Sequence, residues 1–161
     1  MNYNKNKLNI SGILIILAVL LALVLSLSLY LFSNLGVRRT FIFEPVNGGE
    51  LIFEVRHLPT NSPQGNLKLY VDELLLGSIT PSCKMLFPVG TKAKACFTKG
   101  NILYLNLSNE ALQIKSDNEI SDFAVATEIL QKNIFTNFKN INIIKLYVGE
   151  NEVYADNKLV N

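Results

Sequence analysis

Thr91–Ser108 (TKAKACFTKGNILYLNLS) is the segment from which the architecture can be worked out. Thr91–Thr98 and Ile102–Leu107 read as strands, and Lys99-Gly100-Asn101 joins them. Gly100 and Asn101 tolerate the backbone angles that a tight hairpin turn demands. Two paired strands leave one sheet face needing an apolar cover.

That cover can be found on both sides of the hairpin. Downstream, Ser116-x-x-Glu119 has the form of a capping box, predicting a helix whose stripe is Ile120, Phe123, Ala124, Thr127, Leu130 and Ile134, with Phe123 at its middle. Ile141–Val148 then reads as a strand, and Gly149-Glu150-Asn151 turns into a short Val153–Tyr154 piece. Upstream, Ser62-Pro63 predicts an N-cap with proline at the first helical position. Leu67, Val71, Leu74 and Leu75 fall on one helical face, Gly77 ends that helix, and Cys83–Phe87 is a short extended piece. Earlier still, Arg39–Glu44 (RTFIFE) and Leu51–Leu58 (LIFEVRHL) flank the turn signal Asn47-Gly48-Gly49. Phe41 and Phe43 share a face, while Ile52, Glu54 and Arg56 alternate with Phe53 and Val55. The expected fold class is α+β: two helices packed on a mixed β-sheet as a two-layer sandwich.

A different solvent is implied by Ile10–Phe32, where 19 of 23 residues are apolar and none is charged. At 1.5 Å per residue a 23-residue helix reaches about 34 Å, enough to cross a hydrocarbon core of about 30 Å. Cleavable signal peptides have apolar stretches of only about 7–15 residues, although Ser26-Leu27-Ser28 imitates a cleavage site. The expected organisation is a cytoplasmic tail at 1–9, a transmembrane signal anchor at 10–32, a linker at 33–37 and an extracytoplasmic domain at 38–161. Lys5 and Lys7 lie before the anchor, Arg38 and Arg39 after it, so charge alone votes weakly on orientation. Mean hydropathy for the 161 residues is +0.26, raised by this one run. Once Lys5 and Lys7 are set aside, the remainder is electrically neutral. Nucleic-acid binding, which calls for a basic face, is therefore not expected.

Chemistry-bearing residues are sparse. His57 is the sole histidine, on an expected strand, with no Ser or Cys motif beside it. No phosphate-binding glycine loop and no His/Cys ligand spacing occurs. Asp72 and Glu73 are adjacent, so on a helix they diverge by about 100° and cannot clamp one metal. No catalytic residue, cofactor or metal site is assigned. Glu54 and Glu128 are the example of distant carboxylates that a fold could bring together as a glycosidase-like pair. Cys83 and Cys96 have two readings, a disulfide in an oxidising compartment or two small buried hydrophobes. Asn9-Ile10-Ser11 and Asn106-Leu107-Ser108 match the glycosylation triplet, a pattern frequent by chance in a chain this rich in Asn.

Taken together, residues from about 66 to 148 resemble GerMN domains. Asn66–Gly77 (NLKLYVDELLLG) resembles the family's aliphatic helix ending in Leu-Leu-x-Gly-Pro, with Ser78 in place of the proline and Pro81 three residues later. Phe87-Pro88-Val89-Gly90-Thr91 resembles its Ile-Pro-x-Gly-Thr turn. Leu105-Asn106-Leu107-Ser108 stands where the family has Val-Asp-Leu-Ser. The second helix runs through Ile134-Phe135-Thr136 and Phe138, which resemble a Tyr-Thr-Leu-Thr segment of the family, and Ile141–Gly149 resembles its closing strand. The resemblance implies a non-enzymatic module on the outer side of the cytoplasmic membrane, with the N-terminus inside. Some members act in spore germination or spore-envelope assembly, whereas others occur in bacteria that do not sporulate. The implied role is binding of envelope partners, either protein or peptidoglycan, with a homo-oligomer among the options; a small envelope enzyme or ligand-binding subunit acting on wall material is the alternative.

Overall fold

A computed structural model describes residues 10–32, 36–60, 62–113, 120–149 and 151–154. The hairpin forms as expected from strands β3 (Ala93–Lys99) and β4 (Ile102–Leu107). Lys99 pairs with Ile102 across Gly100-Asn101, and Gly100 takes a φ of +62°. Phe97 and Tyr104 stack across the strands with centroids 5.2 Å apart. β5 (Ile143–Val148) lies parallel to β4, from Ile102↔Ile143 to Leu107↔Val148, and β6 (Asn151–Tyr154) adds antiparallel to β5. A parallel neighbour needs a long crossover, supplied here by a 3₁₀ turn at Asn109–Leu112 and a helix at Phe123–Asn137. Leu103, Leu105, Leu107, Ile144, Leu146 and Val148 are buried, whereas the alternate residues are half-exposed, so one sheet face forms the core.

The remaining strands, β1 (Val37–Phe43) and β2 (Ile52–Leu58), pair antiparallel as a separate two-stranded sheet. The α+β class holds, with the strands divided between a two-stranded and a mixed four-stranded sheet. Helix α2 (Asn66–Leu75) buries Tyr70, Val71, Leu74 and Leu75. The crossover helix, numbered α3 because the apolar segment below is α1, buries Ala126, Thr127, Ile129, Leu130, Asn133 and Ile134.

Both helix starts differ from expectation. Ser62-Pro63 does not cap α2: the Gly65 N–H donates to the Ser62 carbonyl at 3.0 Å, closing a turn, and Gly65 itself, at φ +85°, stands at the N-cap. The capping box Ser116–Glu119 lies outside the described residues. Ile120 precedes α3 and bridges Met85, because Ser121 N–H bonds to the Met85 carbonyl at 2.9 Å and its hydroxyl to Glu44 at 2.7 Å. Ala124 is exposed and Phe123 only half-buried, against Phe87 at 6.1 Å. The expected Cys83–Phe87 strand is limited to single bridges, Pro45↔Cys83 and Met85↔Ile120.

Two asparagines attach the β1–β2 hairpin to α3. In β1, Thr40 and Ile42 point their backbone groups away from β2. Asn133 accepts from Ile42 N–H and donates to Ile42 C=O, both at 2.8 Å. One turn on, Asn137 accepts from Thr40 N–H at 2.9 Å and donates to Thr40 C=O at 2.7 Å. Spaced i, i+4 on one helix face, the two amides pair β1 as a further strand would.

Separately from this body, which begins at Gly36, stands α1 (Ile10–Phe32), whose bounds match the predicted apolar run. Its Ser11–Tyr30 portion has mean hydropathy 3.0 and is long and apolar enough to cross a membrane. Ser26-Leu27-Ser28 lies inside the continuous helix.

Candidate functional site

Glu54 and Arg56 sit two apart on β2 and therefore share a face, with Arg56 Nη2 2.7 Å from Glu54 Oε2. Facing them is the chain just after α2. Gly77, at φ +92°, reverses the backbone there. Ser78 O–H, Thr80 N–H (3.0 Å) and Ile79 N–H (3.3 Å) all donate to the Glu54 carboxylate. Burial pushes that carboxyl up, but the bonds from Ser78, Arg56 and Thr80 outweigh it and hold it at about 2. Arg56 donates to the Gly77 carbonyl at 2.8 Å and lies 4.4 Å over the Phe41 ring. A cation at the C-terminal end of α2 also complements the helix dipole. Ser78, standing where the resembled family has proline, supplies a hydroxyl that proline lacks.

This arrangement fixes the loop beyond α2, and a cleft opens beside it. About 460 Å³ opens between the aliphatic side chains of Leu75, Leu76, Met85 and Val89 and a polar wall that includes the Lys68–Asp72 pair, Thr91 and Lys92. Leu76 is 73% exposed, Ile79 on the neighbouring loop is 76% exposed, and Val89 projects as well. Large aliphatic side chains grouped this way mark an interaction surface more often than a reaction site.

The residues singled out from sequence are scattered. His57 is exposed on β2. Glu128 is exposed on α3, whereas Glu54 is half-buried on β2 with its carboxylate held by Ser78, Arg56, Ile79 and Thr80. Asp72 pairs with Lys68 at 2.6 Å, one turn away, and the Glu73 carbonyl faces Arg56. Cys83 and Cys96 are both free thiols and half-buried. Burial pushes Cys96 up to about 11, which keeps it protonated and unreactive at neutral pH. Asn106 lies within β4, its side-chain oxygen buried, so it does not present an open glycosylation loop; Asn9 lies outside the described residues. No group of three His, Cys, Asp or Glu that could hold a metal occurs among the described residues. Sequence reasoning missed the roles of Ser78 and of Asn133 with Asn137. The i, i+4 asparagine pair was the visible signal for the second.

No family model and no curated protein sequence matches the chain. Among solved structures it is similar to the first GerMN domain of the sporulation protein GerM from Bacillus subtilis, with 19% identity and a TM-score of 0.57 over 73% of this chain and 86% of that one. The tandem GerMN domains of the same protein give the same identity and TM-score, and there the match covers 40% of the longer chain. At this identity the likeness is one of fold: the domain has the GerMN fold.

Proposed function

We propose that this is a single-pass membrane protein whose domain at 38–161 lies outside the cytoplasm and works by binding a protein partner of the cell envelope, without catalysis. The observation carrying the reading is the largely aliphatic cleft at Leu76 and Val89, beside a loop that Ser78, Ile79 and Thr80 bond to the Glu54 carboxylate of β2. Glycan sites rely on polar groups with aromatic platforms, whereas this lining has no aromatic ring among the described residues and sets Leu75, Leu76, Met85 and Val89 beside the Lys68–Asp72 pair and Lys92. It suits an apolar peptide segment carrying an acidic residue. The anchor at 10–32 and the GerMN fold support an envelope location. General acid–base work needs a group poised to exchange its proton; Glu54 is held ionised by its donors and Cys96 protonated by burial.

Incubating the full chain, in detergent, with isolated peptidoglycan tests this against the wall-acting alternative. The expected outcome is neither co-sedimentation nor released fragments. Fragments that disappear when Glu54 or Glu128 becomes Gln would establish an enzyme; co-sedimentation without fragments would replace the protein partner with the wall.

A further inference from the structure

Among the described residues, each sheet edge except one is guarded. Long, flat, apolar edges recruit other strands, and proteins blunt them with lysines, bulges, short strands or covers. The outer edge of β1 is closed by Asn133 and Asn137. β3 carries exposed Lys94 and Lys99 and a register shift between Ala93 and Ala95. β6 is only four residues long.

The outer edge of β2 has no lysine, bulge or cover among the described residues, and its inward-facing charges, Glu54 and Arg56, are paired with each other. Because Thr40 and Ile42 turn their backbone groups away from β2, their opposite numbers Val55 and Phe53, and His57 in step with them, turn theirs to the open side. No strand pairs there among the described residues. Phe53 is 60% exposed and Val55 46%, on a strand free of Lys, Pro and bulge. The strand Ile52–Leu58 (IFEVRHL) is also complementary to itself when reversed. Turned about its middle residue, Val55, it places Ile52 against Leu58, Phe53 against His57 and Glu54 against Arg56. Apolar thus meets apolar, ring meets ring, and acid meets base, all favourable cross-strand pairs.

We propose that β2 pairs antiparallel with β2 of a second copy of this chain about a two-fold axis through Val55, joining the two hairpins into one four-stranded sheet. The ladder between copies has about six hydrogen bonds, made by Phe53, Val55 and His57 of each. The interface is isologous, so it closes at two copies. It is separate from the cleft at Leu76, and either assignment can fail without the other.

Cysteine cross-linking in membranes tests the register, using the full chain with Cys83 and Cys96 replaced by Ala. Phe53→Cys and His57→Cys, co-expressed, should give a disulfide-linked heterodimer several-fold above either variant alone, because Phe53 of one copy is opposite His57 of the other. In a pair of Phe53→Cys chains the two thiols stand about four residues apart along the ladder, roughly 13 Å, beyond the ~7 Å Cα limit for a disulfide. Adding Val55→Lys to both chains should abolish the product while leaving the far-ultraviolet circular dichroism unchanged. A heterodimer yield no greater than with Glu128→Cys, or a Phe53→Cys homodimer in excess, would overturn the pairing. Sedimentation of the unmodified chain in detergent gives an answer that needs no variant: a mass of two chains is expected, and a monomer at all concentrations would also overturn it.

Discussion

Asn133→Ala removes the side chain on which the junction between the β1–β2 hairpin and α3 depends. Asn133 is completely buried. Its amide satisfies the Ile42 N–H and C=O, both at 2.8 Å, and its oxygen also accepts from the Tyr70 hydroxyl at 2.8 Å. Tyr70 keeps its bond to the Thr40 carbonyl, so truncation orphans the two Ile42 backbone groups. Each buried group left without a partner costs about 1–3 kcal/mol, and alanine's better helix propensity returns only a few tenths. The net loss is about 2–5 kcal/mol, out of the roughly 5–15 kcal/mol that stabilises a domain. For a body of this size that lowers Tm by roughly 10–20 °C. Asn137 makes the equivalent bonds to Thr40 but is half-buried, so water replaces part of what it gives. Asn137→Ala should therefore cost only about 1 kcal/mol. Thermal unfolding of the full chain in detergent micelles, followed by near-ultraviolet circular dichroism, measures both. The reasoning fails if the Asn133→Ala midpoint stays within about 3 °C of the unmodified chain, or if Asn137→Ala is the more damaging change.

Acid should weaken the same body through Glu54. Its carboxyl is held at about 2 in the folded chain against an ordinary value near 4.5, so its contribution is complete above that value and fades as pH falls toward 2. Urea midpoints should drop across this window, and Glu54→Gln should flatten the fall without abolishing it, since Glu44 is also lowered: burial raises it, and Lys84 and Ser121 more than offset this. Ser78→Ala removes a hydrogen bond to that carboxylate and should cost about 1–3 kcal/mol in urea titration. Leu130→Ala, at a fully buried position, should cost about 2–5 kcal/mol, and Phe123→Ala clearly less, because Phe123 is half-buried; equal losses would mean the buried face of α3 is misassigned. Alkylation at pH 8 should modify Cys96 slowly, and intact mass under non-reducing conditions should show two free thiols.

What could be read from the chain alone was local in origin. The β3–β4 turn depends on Gly100, the end of α2 on Gly77, and the membrane-length helix on composition, and all three appear where expected. The helix starts were misplaced because α2 and α3 begin without side-chain caps: a Ser62–Gly65 turn and the tether of Ser121 to Met85 and Glu44 fix them instead. Division into two sheets was illegible for a similar reason. It depends on two asparagines more than ninety residues from the strand edge they cover. At the candidate site, Glu54 and Arg56 were visible as neighbours on one strand face, yet their partners at 77–80 arrive only through folding. The cleft at Leu76 likewise joins a helix end to a loop more than ten residues on.

Site-specific photocross-linking in intact cells tests the binding-module account most directly. A benzophenone amino acid replaces Leu76 at the cleft, and in a second strain Glu128 on the exposed face of α3. The account predicts a discrete protein adduct at position 76, reduced when Val89→Asp places a charge in the cleft and absent at position 128. No adduct at 76, or the same adducts at both positions, would contradict it.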